Sequence, residues 1–193
     1  MVVTMKQTAK ATEATYMRKA TLEDLDRIWE IVEDARALLK ADGSEQWQNG
    51  YPTRLTFQQD IEFGNCYLVI AGDRIAGTVT LMPQGDTHYN YIVDGEWAMP
   101  GHPFATIHRI AIDSAYRGRH FANYIMSTMI SVAYAQGIRN FRIATHDKND
   151  RVHNLVQNFG FVKRGKVYTG PTPDDLRNVY ELNLKYKCDP ANW

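Results

Sequence analysis

Apolar positions recur at two spacings along the chain, and each spacing predicts one type of element. Between residues 22 and 39, apolar side chains return every third or fourth position, which predicts an amphipathic helix that ends at Asp42-Gly43. Thr21, with Asp24 three residues later, resembles a capping box at the start of that helix. Similar signals predict further helices over 56–63, 122–136 and 150–158.

Runs of β-branched and aromatic residues between turn residues predict the strands. They cover 16–20, 66–71, 75–82, 105–112, 141–145, 161–168 and 179–186. Segment 83–103 carries Gly, Pro and Asp among aromatic residues, so we expect a long loop or a distorted strand pair. Helices between strands favour an α/β fold with a central sheet covered on its faces. A doubly wound dinucleotide-binding fold is disfavoured, because GxGxxG follows none of the strands.

Length, charge and cysteine usage limit the class of protein. The 193 residues predict a tail over 1–15 and one domain over 16–193. Lys plus Arg and Asp plus Glu each number 22, so no excess charge attracts nucleic acid or an anionic membrane. Cys66 and Cys188 lack CxxC spacing, so we expect neither a disulfide framework nor a metal site. Without a signal-peptide core or a membrane-length apolar run, we expect a cytoplasmic protein.

Acidic side chains give no clear sign of a cationic ligand. They are scattered along the chain, as at Asp60, Glu62, Asp86, Asp94 and Glu96. Scattered carboxylates are typical of a solvated surface. We therefore interpret these five as surface charges.

The segment from Asp113 to Ala122 combines the features of an anion site. A predicted strand ends there in a turn rich in Arg and Gly, and a helix begins immediately afterwards. The free N–H groups of a helix's first turn and the helix dipole attract anions. Arg117 and Arg119 add positive charge, and Gly118 allows close approach to the backbone. The turn suits a pyrophosphate, although Arg-Gly turns before helices are commonly only solvated.

Two motifs then resemble a known family. Tyr116-Arg117-Gly118-Arg119-His120-Phe121-Ala122 resembles the coenzyme-A loop of the GNAT superfamily of N-acetyltransferases, which runs Arg or Gln, two residues, Gly, one residue, then Gly or Ala. Arg117 and Ala122 fit this pattern, whereas His120 stands at the middle Gly position. Asn149 precedes Gly160-Phe161 by the distance seen in the family. The resemblance, over about residues 16–186, implies the acyl-CoA N-acyltransferase fold, a mixed central β-sheet flanked by helices.

The same resemblance implies how acetyl-coenzyme A, as co-substrate, is held. The backbone of Ile110, Ala111 and Ile112 would lie along the pantetheine arm, and Asn149 would bind near its thiol end or simply cap a helix. The pyrophosphate would be bound by Arg117, Gly118, Arg119, His120, Phe121 and Ala122. Alternation along the strand predicts that His108, Ile110 and Ile112 share one face of the sheet.

Acetyl transfer to an amine needs a base and a stabilised leaving thiolate. The resemblance places the family's general base at His108, whose ordinary pKa of about 6.5 leaves it largely neutral at neutral pH. The alternative is a core histidine held by hydrogen bonds. Relatives often protonate the thiolate with a Tyr at the position of Val156. Tyr180, Tyr168 and Tyr51 are the candidates for replacing it, with Tyr180 taken as the catalytic one, or the thiolate leaves unassisted.

The acceptor amine is not identified by the sequence. A bacterial subgroup of the superfamily shares Trp47 to Pro52, Ile107 to Ala111, Thr145 to Asp147 and Tyr180-Glu181. That likeness favours Trp47, Tyr51 and His146 as substrate-binding residues. An aromatic wall could add Tyr89, Tyr91 and Trp97, although such aromatics more often pack beneath loops.

We therefore expect an N-acetyltransferase that moves an acetyl group from acetyl-CoA to a primary amine, by direct attack in a ternary complex. The acceptor remains open among a protein N-terminus, lysine, an aminoglycoside, a polyamine and an amino acid. The alternative is a catalytically impaired coenzyme-A-binding or regulatory module of the same fold. A homodimer also remains open.

Overall fold

Eight strands form one mixed sheet, and four α-helices pack on it, in the computed structural model, which describes residues 13–184. The strands are β1 Thr15–Lys19, β2 Cys66–Ala71, β3 Arg74–Met82, β4 Ile92–Val93, β5 Phe104–Ile112, β6 Asn140–Thr145, β7 Val162–Tyr168 and β8 Leu176–Asn183. The helices are α1 Leu25–Ala41, α2 Arg54–Glu62, α3 Phe121–Ala135 and α4 Asp150–Asn158.

The predicted elements match these within one to three residues, because turn and capping residues mark their ends. Thr53 caps α2 by accepting a hydrogen bond from the N–H of Thr56, which starts that helix two residues before the predicted boundary. Residue 15 of the expected tail already belongs to β1. The remainder of that tail up to residue 12, the strand prediction at 185–186 and Cys188 lie outside the described residues.

The sheet runs in the order β1-β2-β3-β5-β6-β8-β7-β4. Among the strands of residues 13–184, only β5 and β6 are parallel, and their pairing is confined to Phe104, Ala105 and Thr106 opposite residues 140–142. Beyond Thr106 the two strands separate, while β6 continues to pair with β8 as far as Thr145. The middle of the sheet is therefore split toward the carboxyl ends of β5 and β6.

A β-bulge interrupts β5 beside this split. Thr80 lies opposite His108 and Thr78 opposite Ala111, so β5 contains one more residue than β3 over this stretch. Arg109 lies at the bulge and has a φ of 53°, which is unusual for a residue with a side chain. The extra residue changes which side chains of β5 point to each face of the sheet.

The predicted common face for His108, Ile110 and Ile112 is therefore wrong. Ile107 belongs to the core beneath α3 and α4, and Ile110 and Ile112 pack against that same core. The His108 ring instead contacts Tyr89 on the opposite face of the sheet. Strict alternation fails because a bulge inserts a residue without turning the strand.

Helices cover both faces, as expected. On one face α3 and α4 bury a core with Ile125, Met126 and Leu155. On the other, α1 and α2 bury Ile28 and Phe57 against β2. A smaller cluster, made of Tyr89, Trp97, Val167 and Val179, lies beside the latter core.

Segment 83–103 is a long loop that contains a single turn of 3-10 helix, Thr87–Asn90, and the short strand β4. β4 pairs with β7, with Ile92 opposite Val167. A Cβ on Gly95 would lie 1.8 Å from the carbonyl oxygen of Arg164, so only glycine permits this approach. The contact holds the loop over the sheet and brings residues 86–89 to the split.

Candidate active site

A cavity of about 1030 Å³ opens where β5 and β6 separate. That volume is at the upper end of the range for small-molecule sites, about 300–1,000 Å³. The ends of both strands, the starts of α3 and α4, and segments 46–51, 86–89 and 169–177 all contribute to its wall. Among the predicted site residues, the cavity is lined by Trp47, Tyr51, His108, Ile110, Ala111, Ile112, Arg117, Gly118, His120, Phe121, Ala122 and Asn149.

The loop between β5 and α3 forms one part of the wall. His120 is the N-cap of α3 and adopts the left-handed conformation, with φ 61°. Its side chain makes no capping hydrogen bond, so the first-turn N–H groups of α3 have no side-chain acceptor there. A non-glycine residue thus fits the middle position of this loop, and the helix start remains available to an anion.

The two loop arginines differ in position. Arg117 lines the cavity and donates a hydrogen bond to the carbonyl oxygen of Asp34. The guanidinium of Arg119 instead lies 5.1 Å from the ring centre of Tyr116 and 5.9 Å from that of Phe121. Arg119 does not line the cavity. We expected Arg119 to bind the pyrophosphate, but in this structure its guanidinium stacks on two aromatic rings.

Asn149 caps α4 and also connects it to a distant segment. Its Oδ1 accepts from the N–H of Val152, and its Nδ2 donates to Oε1 of Gln46 at 2.8 Å. The same Gln46 oxygen accepts from the Thr145 hydroxyl at 3.2 Å and from the His146 N–H at 3.3 Å. Gln46 therefore ties the segment before α2 to the end of β6, a role that no local sequence signal indicates.

His108 lies on β5 with its imidazole buried against the cavity. Its Nε2 is 3.4 Å from Oδ2 of Asp86, which is too long and poorly aimed for a good hydrogen bond, and it has no other partner within residues 13–184. Burial lowers the pKa of His108, and the nearby Asp86 only partly opposes this. The imidazole is therefore neutral at neutral pH and able to accept a proton.

Asp86 is part of the site, contrary to the surface role expected for it. Burial alone would raise the pKa of this carboxyl, but the nearby imidazole of His108 and the hydrogen bond donated by the backbone N–H of His88 hold the pKa of Asp86 well below its ordinary value. It stays ionised beside the neutral ring of His108. Asp86 precedes His108 by 22 residues, and that spacing in the sequence gives no indication of this contact.

Asp60 is buried as well, and the expected surface role is wrong for it too. It forms a two-point ion pair with Arg109, whose Nε and Nη2 donate at 2.8 and 2.7 Å. Thr80 donates a further hydrogen bond to the same carboxylate at 2.8 Å. The Arg109 guanidinium also donates to the hydroxyl of Tyr51, so Asp60 compensates its charge and Tyr51 satisfies a further N–H.

The predicted aromatic wall is only partly formed. Trp47 is buried and Tyr51 is half-exposed, and both line the cavity together with Tyr89. Trp97 is buried beside Tyr89 outside the cavity, and Tyr91 is 82% exposed. Aromatic residues of the loop therefore divide between the site and the packing beneath it.

Two other expected site residues do not line the cavity, His146 and Tyr180. The Nδ1 of His146 lies 2.8 Å from a carboxylate oxygen of Asp147, and burial lowers the pKa of His146. Tyr180 is buried beneath α4, where its hydroxyl donates to Nδ1 of His153 at 2.7 Å. The Tyr180 hydroxyl is bonded to His153 and does not line the cavity, and the aliphatic Val156 has no proton to donate.

The fold and this cavity place the chain among the acyltransferases. It belongs to the acetyltransferase (GNAT) family, whose model matches residues 29–161. This confirms the family and the fold that the two motifs predicted.

Solved structures agree with the assignment. A GNAT-family acetyltransferase from Streptococcus agalactiae 2603 is similar, with 30% identity, a TM-score of 0.78, and coverage of 89% of this chain and 96% of its own. A GNAT-family acetyltransferase from Listeria monocytogenes 4b F2365, at 18% identity and a TM-score of 0.68, shares the fold over 88% of this chain and 95% of its own. PaiA N-acetyltransferase from Thermoplasma acidophilum, solved with coenzyme A, also shares the fold. Its identity is 14% and its TM-score 0.64, with coverage of 88% of this chain and 99% of its own. No curated protein matches the sequence.

Two further properties concern residues 13–184. None of their helices is both long and apolar enough to cross a membrane. No cluster of three or more His, Cys, Asp or Glu among them is arranged to hold a metal ion.

Proposed function

We propose that this protein is an N-acetyltransferase that transfers the acetyl group of acetyl-coenzyme A to a primary amine by direct attack in a ternary complex. The observation that carries the proposal is one continuous cavity lined both by the start of α3 and by His108. The acceptor is a small-molecule or peptide amine, and a cytoplasmic location remains our expectation.

The cavity wall fits the parts of the coenzyme. The N–H groups at the start of α3, together with Arg117, suit the pyrophosphate. The facing edges of β5 and β6 beyond Thr106 have no strand partner in the split, so Ile110, Ala111 and Ile112 can pair with the amides of the pantetheine arm. Bound in this way, the coenzyme supplies an activated acetyl thioester.

His108 acts as the general base. In its neutral form it accepts a proton from the attacking amine as the nitrogen–carbon bond forms. Nε2 is buried against Asp86, so Nδ1 is the ring nitrogen left to face the amine. Backbone N–H groups at the bulge, which lies outside the regular ladder, stabilise the negative oxygen of the tetrahedral intermediate. The carbon–sulfur bond then breaks, and the electron pair leaves on sulfur.

Calorimetric titration with acetyl-CoA tests the coenzyme part of this proposal. Micromolar binding is expected for the natural chain, and Arg117→Ala is expected to weaken it about tenfold, the effect of one charge-assisted hydrogen bond. Arg119→Ala is the matched variant on the same loop, and its effect should be smaller because that side chain stacks on aromatic rings. Failure of the natural chain to bind acetyl-CoA would refute the proposal.

Turnover across a panel of amines tests the catalytic part. We expect His108→Ala to lower kcat/KM by about 10²–10⁴-fold, the usual contribution of a general base, while leaving the dissociation constant of acetyl-CoA unchanged. Binding of acetyl-CoA without acetylation of any amine on a panel of amino acids, polyamines, aminoglycosides and peptides would instead favour the non-catalytic module.

A further inference from the structure

Arg177, near the start of β8, lines the cavity and has hydrogen-bond donors to spare. Its Nη1 donates to the backbone carbonyl oxygens of Asp174 and Leu176. Its Nε and Nη2 have no hydrogen-bond partner within residues 13–184, and neither atom is fully buried. A molecule that enters the cavity can therefore reach this edge of the guanidinium.

The charge of Arg177 is only partly compensated by the protein. The guanidinium is half-buried and forms no ion pair within residues 13–184. Burial lowers the pKa of Arg177, although the carboxylates of Asp175, Asp147 and Asp174 act from a distance in the opposite direction. An anion bound in the cavity would complete this compensation.

The free edge of Arg177 is the same edge with which Arg109 binds a carboxylate. In Arg109, Nε and Nη2 donate to the two oxygens of Asp60 at 2.8 and 2.7 Å. These two parallel N–H donors match the geometry of a carboxylate, which is why such pairs form in two-point fashion. The free edge of Arg177 therefore fits a carboxylate of a ligand.

Arg177 lies on the face of the sheet that carries the His108 ring. It pairs with Val167, which packs in one cluster with Tyr89 and Val179, and directly opposite residues of antiparallel strands share a face. The His108 ring contacts Tyr89 on this face, whereas α3 covers the other one. Arg177 is thus placed to bind the acceptor, and not the coenzyme phosphates at the start of α3.

The turn between β7 and β8 fixes the position of Arg177. The N–H and the hydroxyl of Thr169 donate to the carbonyl oxygen of Asp175 at 3.0 and 3.1 Å. The N–H and the hydroxyl of Thr172 donate to the Asp175 carboxylate at 3.0 and 2.7 Å. A Cβ on Gly170 would lie 2.5 Å from that carboxylate, so the turn is closely packed. A site held in this way loses little conformational entropy when a ligand binds.

We propose that the acceptor is a primary amine that also carries a carboxylate, as a free amino acid does, and that Arg177 binds this carboxylate. The inference rests on the proposed function and names the class of its acceptor. Asp86, which also lines the cavity, stays ionised beside His108 and attracts the ammonium end of such a molecule. A zwitterion therefore meets an opposite charge at each end, with its nitrogen next to the base. Polyamines and aminoglycosides lack the anionic group.

Free amino acids and their carboxamides test the proposal, because the amide removes the negative charge with little change in size. We expect the natural chain to have a kcat/KM about tenfold to hundredfold higher for the free acids, the effect of charge-assisted hydrogen bonds. Arg177→Gln should abolish this preference by raising the KM for the acids. It should leave both kcat/KM for the amides and the dissociation constant of acetyl-CoA unchanged. Arg177→Lys keeps the charge without the two-point edge, so it should retain part of the preference.

Lys163→Gln is the matched control. It removes an exposed positive charge from the neighbouring strand β7, outside the cavity, and should leave the preference for the acids intact. Equal turnover of acids and amides by the natural chain overturns the assignment without any variant. Equal losses for acids and amides in Arg177→Gln also overturn it, and weaker binding of acetyl-CoA by that variant would place Arg177 at the coenzyme instead.

The two proposals fail in different ways. If the natural chain acetylates amines without a carboxylate but no amino acid, the assignment of the acceptor alone is wrong. If the natural chain does not bind acetyl-CoA or acetylates no amine, the proposed function fails and the acceptor assignment fails with it.

Discussion

The coenzyme loop and the reacting centre of the cavity are built in different ways. At the start of α3, the predicted contacts come from a single stretch of sequence, residues 117–122. Around His108, the side chains come from three separate segments and include Tyr51, Asp86, Tyr89 and Arg109. A local site follows from a local motif, whereas a site assembled from distant segments depends on the fold that brings them together.

The difference extends to energetics. At the loop before α3, Arg117 donates its hydrogen bond to a carbonyl oxygen, and its charge acts only at a distance on the exposed carboxylate of Asp42. At the reacting centre, Arg109 is buried in a two-point ion pair with Asp60. Changes at the loop should therefore alter ligand binding alone, while changes at the reacting centre should also alter stability.

Asp60→Asn should give the largest effect on stability. It removes the charge that compensates the buried guanidinium of Arg109, and loss of one partner of a buried pair costs about 3 kcal/mol or more. We expect the free energy of unfolding, measured by urea denaturation, to fall by about 3 kcal/mol. Arg117→Ala, at the local site, should change it by less than about 0.5 kcal/mol.

The control for Asp60→Asn is Asp26→Asn. Asp26 also pairs with an arginine, Arg54, but its side chain is 86% exposed. Exposed pairs contribute about 0–1 kcal/mol, so this variant should have little effect. Equal losses of stability in the Asp26 and Asp60 variants would contradict the contrast between the two parts of the site.

Tyr180→Phe should give the next largest effect. Its hydroxyl is hydrogen-bonded to His153 beneath α4, away from the cavity, so its removal should lower the free energy of unfolding by about 1 kcal/mol. Urea denaturation measures this loss. A fall in kcat as large as that of His108→Ala would restore the catalytic role that the sequence suggested for Tyr180.

The smallest expected effect is the pH response of Asp86→Asn. Burial and Arg109 lower the pKa of His108, whereas Asp86 and Asp60 raise it. Removing the charge of Asp86 should therefore lower the pKa of His108 further and move the acidic limb of kcat/KM to lower pH. Asp94→Asn, on the same loop but exposed, should leave the limb in place.

The depressed pKa of His108 also sets the direction of a stability change with pH. Below the unfolded pKa of about 6.5, the unfolded chain binds a proton that the folded imidazole resists, so the contribution of His108 to stability is lost as pH falls. This contribution is fully present above that pH. A chain whose stability rose on acidification from pH 7 to pH 5.5 would contradict the burial of a neutral His108.

The sequence by itself determined the family, the helices, every described strand except β4, and the loop before α3 that lines the cavity. Apolar periodicity and turn residues act over a few positions, so they placed α4 at 150–158 and β2 at 66–71 without error. The loop motif is likewise contiguous, and its residues reach the cavity apart from Arg119, whose guanidinium finds neighbouring aromatic rings. Such patterns involve residues that are close in sequence, so the sequence alone is enough to predict them.

Only the tertiary structure decided which side chains form the reacting centre. One extra residue at the Arg109 bulge reversed the faces expected along β5, and the loop held by Gly95 brought Asp86 and Tyr89 to His108. Asp60 and Asp86, expected on the surface, became a buried partner of Arg109 and a half-buried neighbour of His108. Burial and pairing depend on contacts between distant segments. The sequence alone therefore does not distinguish a solvated carboxylate from one that is paired with a buried cation.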